Sequence, residues 1–303
     1  MITTGALLHG EQSDLLDFND CEHPVALQLG GNDPAAMAEC AAMAEALGYD
    51  EVNINVGCPS DRVQKGAFGA CLMREPQLVA ECVKAMQAVC SIPVTVKTRT
   101  GIVLKDAPDE YSNLDFLFRL VDTLVESGCQ RLYLHARVAV LEGLSPAQNR
   151  DIPPLTPEKG EAIKLRHPDL ELILNGGITH LANALAPLTW ADGIMIGRAA
   201  YHRPRFLSEL EQNLYDTDFR IDESAIFDRY VAYMSTQLNE GVKLNILTKH
   251  LLHCFSGKPG ARRYRQILSD SKRLNANDFD LVHEAHSALG LHTAQTEVGL
   301  NAG

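Results

Sequence analysis

The sequence predicts an α/β protein, a (β/α)8 barrel followed by a small helical domain. Three observations predict it. Short β-rich runs alternate with longer helix-compatible stretches from the start of the chain to about residue 205, the pattern of parallel strands joined by crossover helices. The carboxyl ends of those runs carry the polar and glycine-rich residues, and in a barrel all the strand-to-helix loops converge on that face. A doubly wound sheet would gather them at one or two switch points instead. After about residue 216 the strand signal stops and apolar residues recur at helical spacing. The boundary is accordingly set between a barrel over residues 1–215 and a helical domain over residues 216–303.

The strand candidates are 25–29, 51–56, 93–98, 131–135, 171–175 and 193–197, and segments such as 34–47 and 75–89, rich in Ala, Met, Leu and Glu, lie between them as helices. The first strand ends on Gln28 and Gly30-Gly31, the second on Asn55-Val56-Gly57-Cys58, the third on Lys97 and Arg99. The fourth ends on His135 and Arg137, the fifth on Asn175-Gly176-Gly177 and the sixth on Gly197-Arg198. In the second domain Ile226, Tyr230, Met234 and Leu238 mark one helical face. Leu244 to Phe255 reads as a second helix ended by Gly257 and Pro259, 260–269 and 278–289 as two more, and the final ten residues as a frayed tail.

Composition narrows the function. The chain has no apolar run of membrane-spanning length, and its first residues lack the zones of a signal peptide, so a soluble, cytoplasmic protein is expected. Eight cysteines (Cys21, Cys40, Cys58, Cys71, Cys82, Cys90, Cys129 and Cys254) include no Cys-x-x-Cys pair and no zinc-like Cys/His spacing. Reduced thiols and no metal site are therefore expected. The net charge of −12 weighs against a polyanionic partner as a whole-chain value, but local charge is what a polyanion meets.

Several residues could carry chemistry. The Asn175–Ile178 and Gly193–Arg198 turns would let backbone N–H groups approach a phosphate, with Arg198 adding a charged contact. Two such turns at the last two strands match the usual phosphate site of a barrel, although each alone could be an ordinary tight turn. Lys97 alternates with apolar residues; on an inner barrel face it would need an anion, and on an outer face only solvent. His135, with Arg137 two residues on, reads either as a site residue or as a hydrogen-bonded core histidine. Cys58 lies in a loop flanked by Gly57, Gly66 and Gly69, a candidate acid or nucleophile on a segment free to move, or one more structural cysteine. Arg262 and Arg265 share a helical face and, with Lys249, His250, Lys258 and Arg263, form a locally basic surface suited to a phosphate backbone or simply to solvent.

At these residues the sequence resembles the bacterial tRNA-dihydrouridine synthase family, and most closely its A-type subfamily. The resemblance rests on the segments 24–31, 53–64, 94–102, 134–137, 143–155, 175–178, 197–201 and 259–265, and runs from residue 1 to about 270. It implies FMN held by Gln28, Lys97, His135, Asn175, Gly176, Gly177, Gly197 and Arg198, with Lys97 stabilising negative charge on the reduced ring. It implies NADPH as reductant, hydride delivery to C6 of a flipped-out tRNA uridine, protonation of C5 by Cys58, and Asn55 holding the base. An unperturbed thiol is mostly protonated at neutral pH, as a donor must be. D-loop uridines 20 and 20a are the implied targets, a monomer the implied state, and Arg150, Arg262 and Arg265 the implied tRNA contacts.

The chain departs from the family pattern in two respects. Met1-Ile-Thr-Thr aligns with the second strand of the barrel, so the expected fold is a TIM barrel lacking its first strand and helix, and with them an Ala-Pro-Met segment that touches FMN. Ala147 and Val138 stand where close relatives often carry lysine, which removes positive charge from the RNA side. Two rival readings follow: a catalytically impaired tRNA-binding fragment, and another FMN barrel oxidoreductase acting on a free pyrimidine. The basic helical domain weighs against the latter, since a free base needs no phosphate-binding surface.

Overall fold

The strands form where β-branched and apolar residues alternate with polar ones, and they pair in sequence order. In the computed structural model, which describes residues 1–10, 15–60 and 66–290, a seven-stranded parallel sheet runs β1-β2-β3-β4-β6-β8-β9. Its strands are β1 (Ile2–Thr3), β2 (Ala26–Gly30), β3 (Glu51–Val56), β4 (Val94–Arg99), β6 (Arg131–His135), β8 (Glu171–Asn175) and β9 (Gly193–Met195). Two short strands, β5 (Ile102–Val103) and β7 (Ala139–Val140), pair beside it. Each main-sheet neighbour is parallel and reached through a helical crossover, the order of a (β/α)8-type barrel. The expected strands over 51–56, 131–135 and 171–175 are observed with those bounds, and Met1-Ile-Thr-Thr contributes β1, paired with β2 through Ile2 and Leu29.

Alternation decides which side chains meet the helices and which meet each other. Val52, Ile54, Val56, Val96, Leu132, Leu134 and Leu172 are buried in one cluster with Met37, Cys40, Val79, Val83, Met86, Leu117 and Leu120 from the surrounding helices. The intervening residues Glu51, Asn53, Asn55, Thr95, Lys97, Arg99, Tyr133 and His135 occupy the opposite parity, so the sheet's second face is polar and points its side chains at one another. The helices start where the sequence supplies caps. Asp33 accepts from the Ala36 N–H before Pro34–Ala46, and Asn113 accepts from the Phe116 N–H before Leu114–Glu126.

The chain divides into two compact units between Gly197 and Arg198, earlier than the expected boundary after residue 215, because the helices Arg198–His202 and Arg205–Leu214 group with the C-terminal unit. That unit has its own core of Phe227, Met234, Leu244, Leu247, Leu251, Phe255, Tyr264, Ile267, Leu281 and Val282. The helix Glu223–Asn239 buries Phe227 and Met234, whereas Ile226, expected on its inner face, is 50% exposed. The helix expected over Leu244–Phe255 ends at Thr248. The backbone then continues in turns whose bonds span three residues, such as the Leu251 N–H to the Thr248 carbonyl and the Cys254 N–H to the Leu251 carbonyl. Ala261–Leu268 and Asp280–Ser287 are helical as expected; the terminal segment read as a frayed tail lies outside the described residues. Among the described residues, no helix is long and apolar enough to cross a membrane.

Candidate active site

The strand ends converge on one cavity. It encloses about 190 Å3 and is lined by residues from four parallel strands or the loops that follow them, including Asn55, Cys58, Lys97, Arg99, His135 and Asn175, with Arg150 at its edge. Adjacent strands set this arrangement through register: Asn55 pairs with Lys97, Arg99 with His135, and His135 with Asn175. Asn55, Cys58, Lys97, Arg99, His135 and Asn175 stand in the carboxyl half of their strands or just beyond them, and Arg150 comes from the 3-10 helix Gln148–Arg150.

Cys58 is half-buried in the loop after β3, and its loop conformation is fixed by backbone bonds. The Asn55 Oδ1 accepts from the Cys58 N–H at 2.9 Å and from the Gly57 N–H at 3.2 Å, while the Cys58 carbonyl accepts from the Ala70 N–H at 3.0 Å. Asn55 thereby works as a local cap on the turn that presents the thiol. The thiol itself reaches the Ser60 Oγ at 3.5 Å. The remainder of the family-like segment, residues 61–64, lies outside the described residues.

Lys97 faces this cavity, which decides the question its alternation left open. Burial, and then the charge of Arg99, push its ammonium down to about 8, against an opposing influence from Cys58. Among the described residues its Nζ makes no hydrogen bond or ion pair, so this half-buried, partly desolvated cation is suited to an anionic or electron-rich group. His135 is buried beside it and packs on the following turn, where a side chain at Gly176 would come within 3.0 Å of the imidazole. Gly176 and Gly177 have φ of 114° and 67°, values that L side chains rarely adopt, and Asn175 donates to the Met195 carbonyl at 2.7 Å.

Arg99, which the strand-end pattern marked without giving it a role, ties three segments together around the cavity. Its Nε donates to the Gly57 carbonyl at 2.9 Å, and one terminal nitrogen donates to the Val138 and Asn149 carbonyls at 3.0 and 2.9 Å. Asn149 is fully buried; it accepts from the Val140 N–H and donates to the Val140 carbonyl, both at 2.8 Å, and so holds the loop that ends on Arg150. Burial lowers the Arg99 pKa; Cys58 counteracts this, while Arg150 and Arg137 add to the depression.

The profile of the family described as dihydrouridine synthase (Dus) matches residues 1–289. A tRNA-dihydrouridine(20/20a) synthase of Shewanella oneidensis is 47% identical over 95% of this chain and 84% of its own length. Proteins of the same name from Escherichia coli (strain K12) and Pseudomonas syringae pv. tomato are each 47% identical, over 94% and 96% of this chain and 81% and 85% of theirs. The chain belongs to the dihydrouridine synthase family.

Dihydrouridine synthases are flavin-dependent oxidoreductases with a barrel fold. The residues present fit a flavin: Lys97 offers a half-buried cation without a protein partner among the described residues, and a side chain at Gly197 would meet nothing within 4 Å, which leaves open space at the end of the last strand. Gln28 reaches the cavity through Asn55, whose Nδ2 donates to its Oε1 at 2.8 Å. Arg198 opens the first helix of the second unit, and Arg262 and Arg265 lie on Ala261–Leu268, the former exposed and the latter half-buried. Lys258, counted in the expected basic surface, forms an ion pair with Glu223, which also pairs with Arg205 at 2.9 Å. Its charge is therefore already matched by protein.

Proposed function

We propose that this chain reduces specific uridines in tRNA to 5,6-dihydrouridine with NADPH as reductant, taking the D-loop positions 20 and 20a named in its relatives. The observation that carries the proposal is the joint lining of one cavity by Cys58, Asn55 and Lys97 in a dihydrouridine synthase. Bound beside Lys97 and Gln28, FMN would supply the hydride that adds to C6 of the base. The net reaction consumes one NADPH and one proton, saturates the C5–C6 bond, and releases NADP+.

The chain's own residues then have separable tasks. Cys58 holds the proton that C5 requires, on a loop whose two backbone amides are pinned by Asn55. Lys97, already desolvated, favours negative charge building up nearby, and needs no reorganisation to do so. His135 and the Asn175–Gly177 turn bound the cofactor side, with Gly197 and Arg198 proposed at its phosphate. Arg150, Arg262 and Arg265 are proposed contacts to the tRNA backbone, which lets an acidic chain bind a polyanion locally. A target base inside folded RNA must be turned out of its stack to reach a cavity of this size, and this favours a D-loop uridine over a paired one.

NADPH oxidation coupled to product tests the reading. The flavin-loaded protein is expected to oxidise NADPH in proportion to dihydrouridine formed in unmodified tRNA, and to turn over neither free uridine nor orotate. Equal turnover of a free pyrimidine would favour the rival barrel oxidoreductase. Protein that stays colourless with FMN would favour the tRNA-binding fragment.

A further inference from the structure

Behind the cavity a chain of buried and half-buried polar side chains runs down the inner face of the barrel, and its direction is fixed at both ends. The Glu51 carboxylate, buried at the start of β3, accepts from the Thr95 hydroxyl at 2.6 Å, and its other oxygen accepts from Arg131 at 2.8 Å and from the Tyr133 hydroxyl at 3.0 Å. A carboxylate can only accept, and Thr95 has a single hydroxyl proton, so toward Asn53 the Thr95 oxygen must accept. Asn53 donates to it through Nδ2 at 2.8 Å, which turns the Asn53 Oδ1 toward Gln28, whose Nε2 donates at 2.7 Å. The Gln28 Oε1 is then the acceptor for the Asn55 Nδ2 at 2.8 Å, and the Asn55 Oδ1 faces the N–H groups of Gly57 and Cys58. Backbone N–H groups can only donate, so the far end of the relay demands the same polarity as the carboxylate.

Register makes the path possible: Gln28 pairs with Asn53, and Asn53 with Thr95, so one side chain from each of three neighbouring strands meets in a single layer. The consequence for Asn55 is specific. Both lone pairs of its Oδ1 are occupied, and the only hydrogen-bonding group it has left for a ligand in the cavity is one N–H of Nδ2. We infer that Glu51, Thr95 and Asn53 are positioning residues that lock Asn55 as a fixed donor for a pyrimidine carbonyl and, through its Oδ1, hold the Cys58 loop in its working conformation. None of the three touches the substrate; they act through Gln28 and Asn55. The inference rests on the reading of this cavity as a uracil site, but its effect on the loop belongs to the protein alone.

Three variants test it. Thr95→Val removes the hydroxyl at nearly constant shape, Glu51→Gln keeps the link but lets that position donate as well as accept, and Thr95→Ser retains the hydroxyl. In flavin-free protein, iodoacetamide labelling of Cys58, resolved by peptide mass spectrometry, is expected to be roughly three- to tenfold faster in Thr95→Val and Glu51→Gln, a factor typical of losing one intramolecular hydrogen bond. Thr95→Ser is expected to label at the wild-type rate. In flavin-loaded protein the first two variants are expected to lose a similar factor in kcat with KM for tRNA unchanged, since tRNA affinity is assigned to other residues. Wild-type labelling and wild-type kcat in both Thr95→Val and Glu51→Gln would overturn the inference. If one of them fails to fold, the other decides alone. A wild-type protein that forms no dihydrouridine would overturn the functional proposal instead, and the labelling rates would still decide the relay.

Discussion

Lys97 places a cation where the fold alone does not want one, so replacing it with methionine should stabilise the flavin-free protein. The ammonium is pushed down to about 8 by burial first and by Arg99 second. Against an unperturbed lysine near 10.4 this displacement corresponds to at most ~3 kcal/mol at pH 7, since each pKa unit is worth about 1.4 kcal/mol. The folded-state value lies below the unfolded one, so between about 8 and about 10.4 the unfolded chain binds the extra proton and wild-type stability rises with pH. Below that window the full penalty is present; above it the penalty is gone. Lys97→Met, close in length and without a charge, removes it at all pH values. Thermal unfolding of flavin-free protein followed by circular dichroism at pH 7 should show the variant melting roughly 3 to 10 °C above wild type, with the gap closing by about pH 10. A variant that melts at or below wild type at pH 7, or a gap that does not change with pH, would show that Lys97 carries no such penalty. The same variant should bind flavin more weakly, because the cation that burdens the empty fold is the one assigned to the cofactor.

Other substitutions probe the frame of the site. Asn149→Ala empties a fully buried position and leaves both backbone groups of half-buried Val140 without their partner, and is expected to cost about 2–4 kcal/mol in chemical denaturation while lowering activity through the Arg150 loop. Gly101 and Gly143 both have positive φ, but a side chain at Gly101 would meet the Tyr111 carbonyl oxygen at 2.7 Å, whereas at Gly143 it meets nothing within 4 Å. Alanine is therefore expected to cost about 1–2 kcal/mol at Gly143, the left-handed backbone strain alone, and about 3 kcal/mol or more at Gly101, read from denaturant midpoints. Asp122 links two barrel helices by accepting two bonds from Arg166 and one from His167, and the Arg166 bonds, ahead of His167, hold its carboxyl below the usual range. A depressed carboxylate contributes stability above its unfolded pKa and loses it as pH falls through the folded value. Asp122→Asn should therefore melt lower than wild type at pH 7, with the difference shrinking as pH falls below the ordinary carboxylate range.

Strand positions were legible because alternation is a local property that packing here reinforces. Val52, Ile54 and Val56 mark β3 without ambiguity. The meaning of the intervening polar residues was not legible: Glu51, Asn53 and Thr95 have the spacing of a solvated face, and only the curvature and register of neighbouring strands turn them inward to satisfy one another. The same limit applied to Lys97, whose in-or-out choice a single strand cannot settle. Cys58, Asn55, His135 and Asn175 were marked by standing at strand ends, and the structure gathers them around one cavity. Arg99 stood at such an end too, but its role depends on carbonyls 39 to 50 residues away and leaves no local trace. The helix read through Phe255 failed for a related reason. Leu251 and Phe255 are buried at helix-like spacing, yet backbone bonds spanning three residues bury them equally well.

If Cys58 gives the C5 proton to a tRNA uridine, removing its thiol must slow that step. The most direct measurement is a single turnover of flavin-loaded, NADPH-reduced protein on unmodified tRNA, with dihydrouridine quantified by nucleoside mass spectrometry for wild type and Cys58→Ala. Wild type is expected to form dihydrouridine, and Cys58→Ala to form it at a rate lower by about 10²- to 10⁴-fold, the usual contribution of a positioned acid, with tRNA affinity retained. Full dihydrouridine formation at the wild-type rate by Cys58→Ala would contradict that role for Cys58.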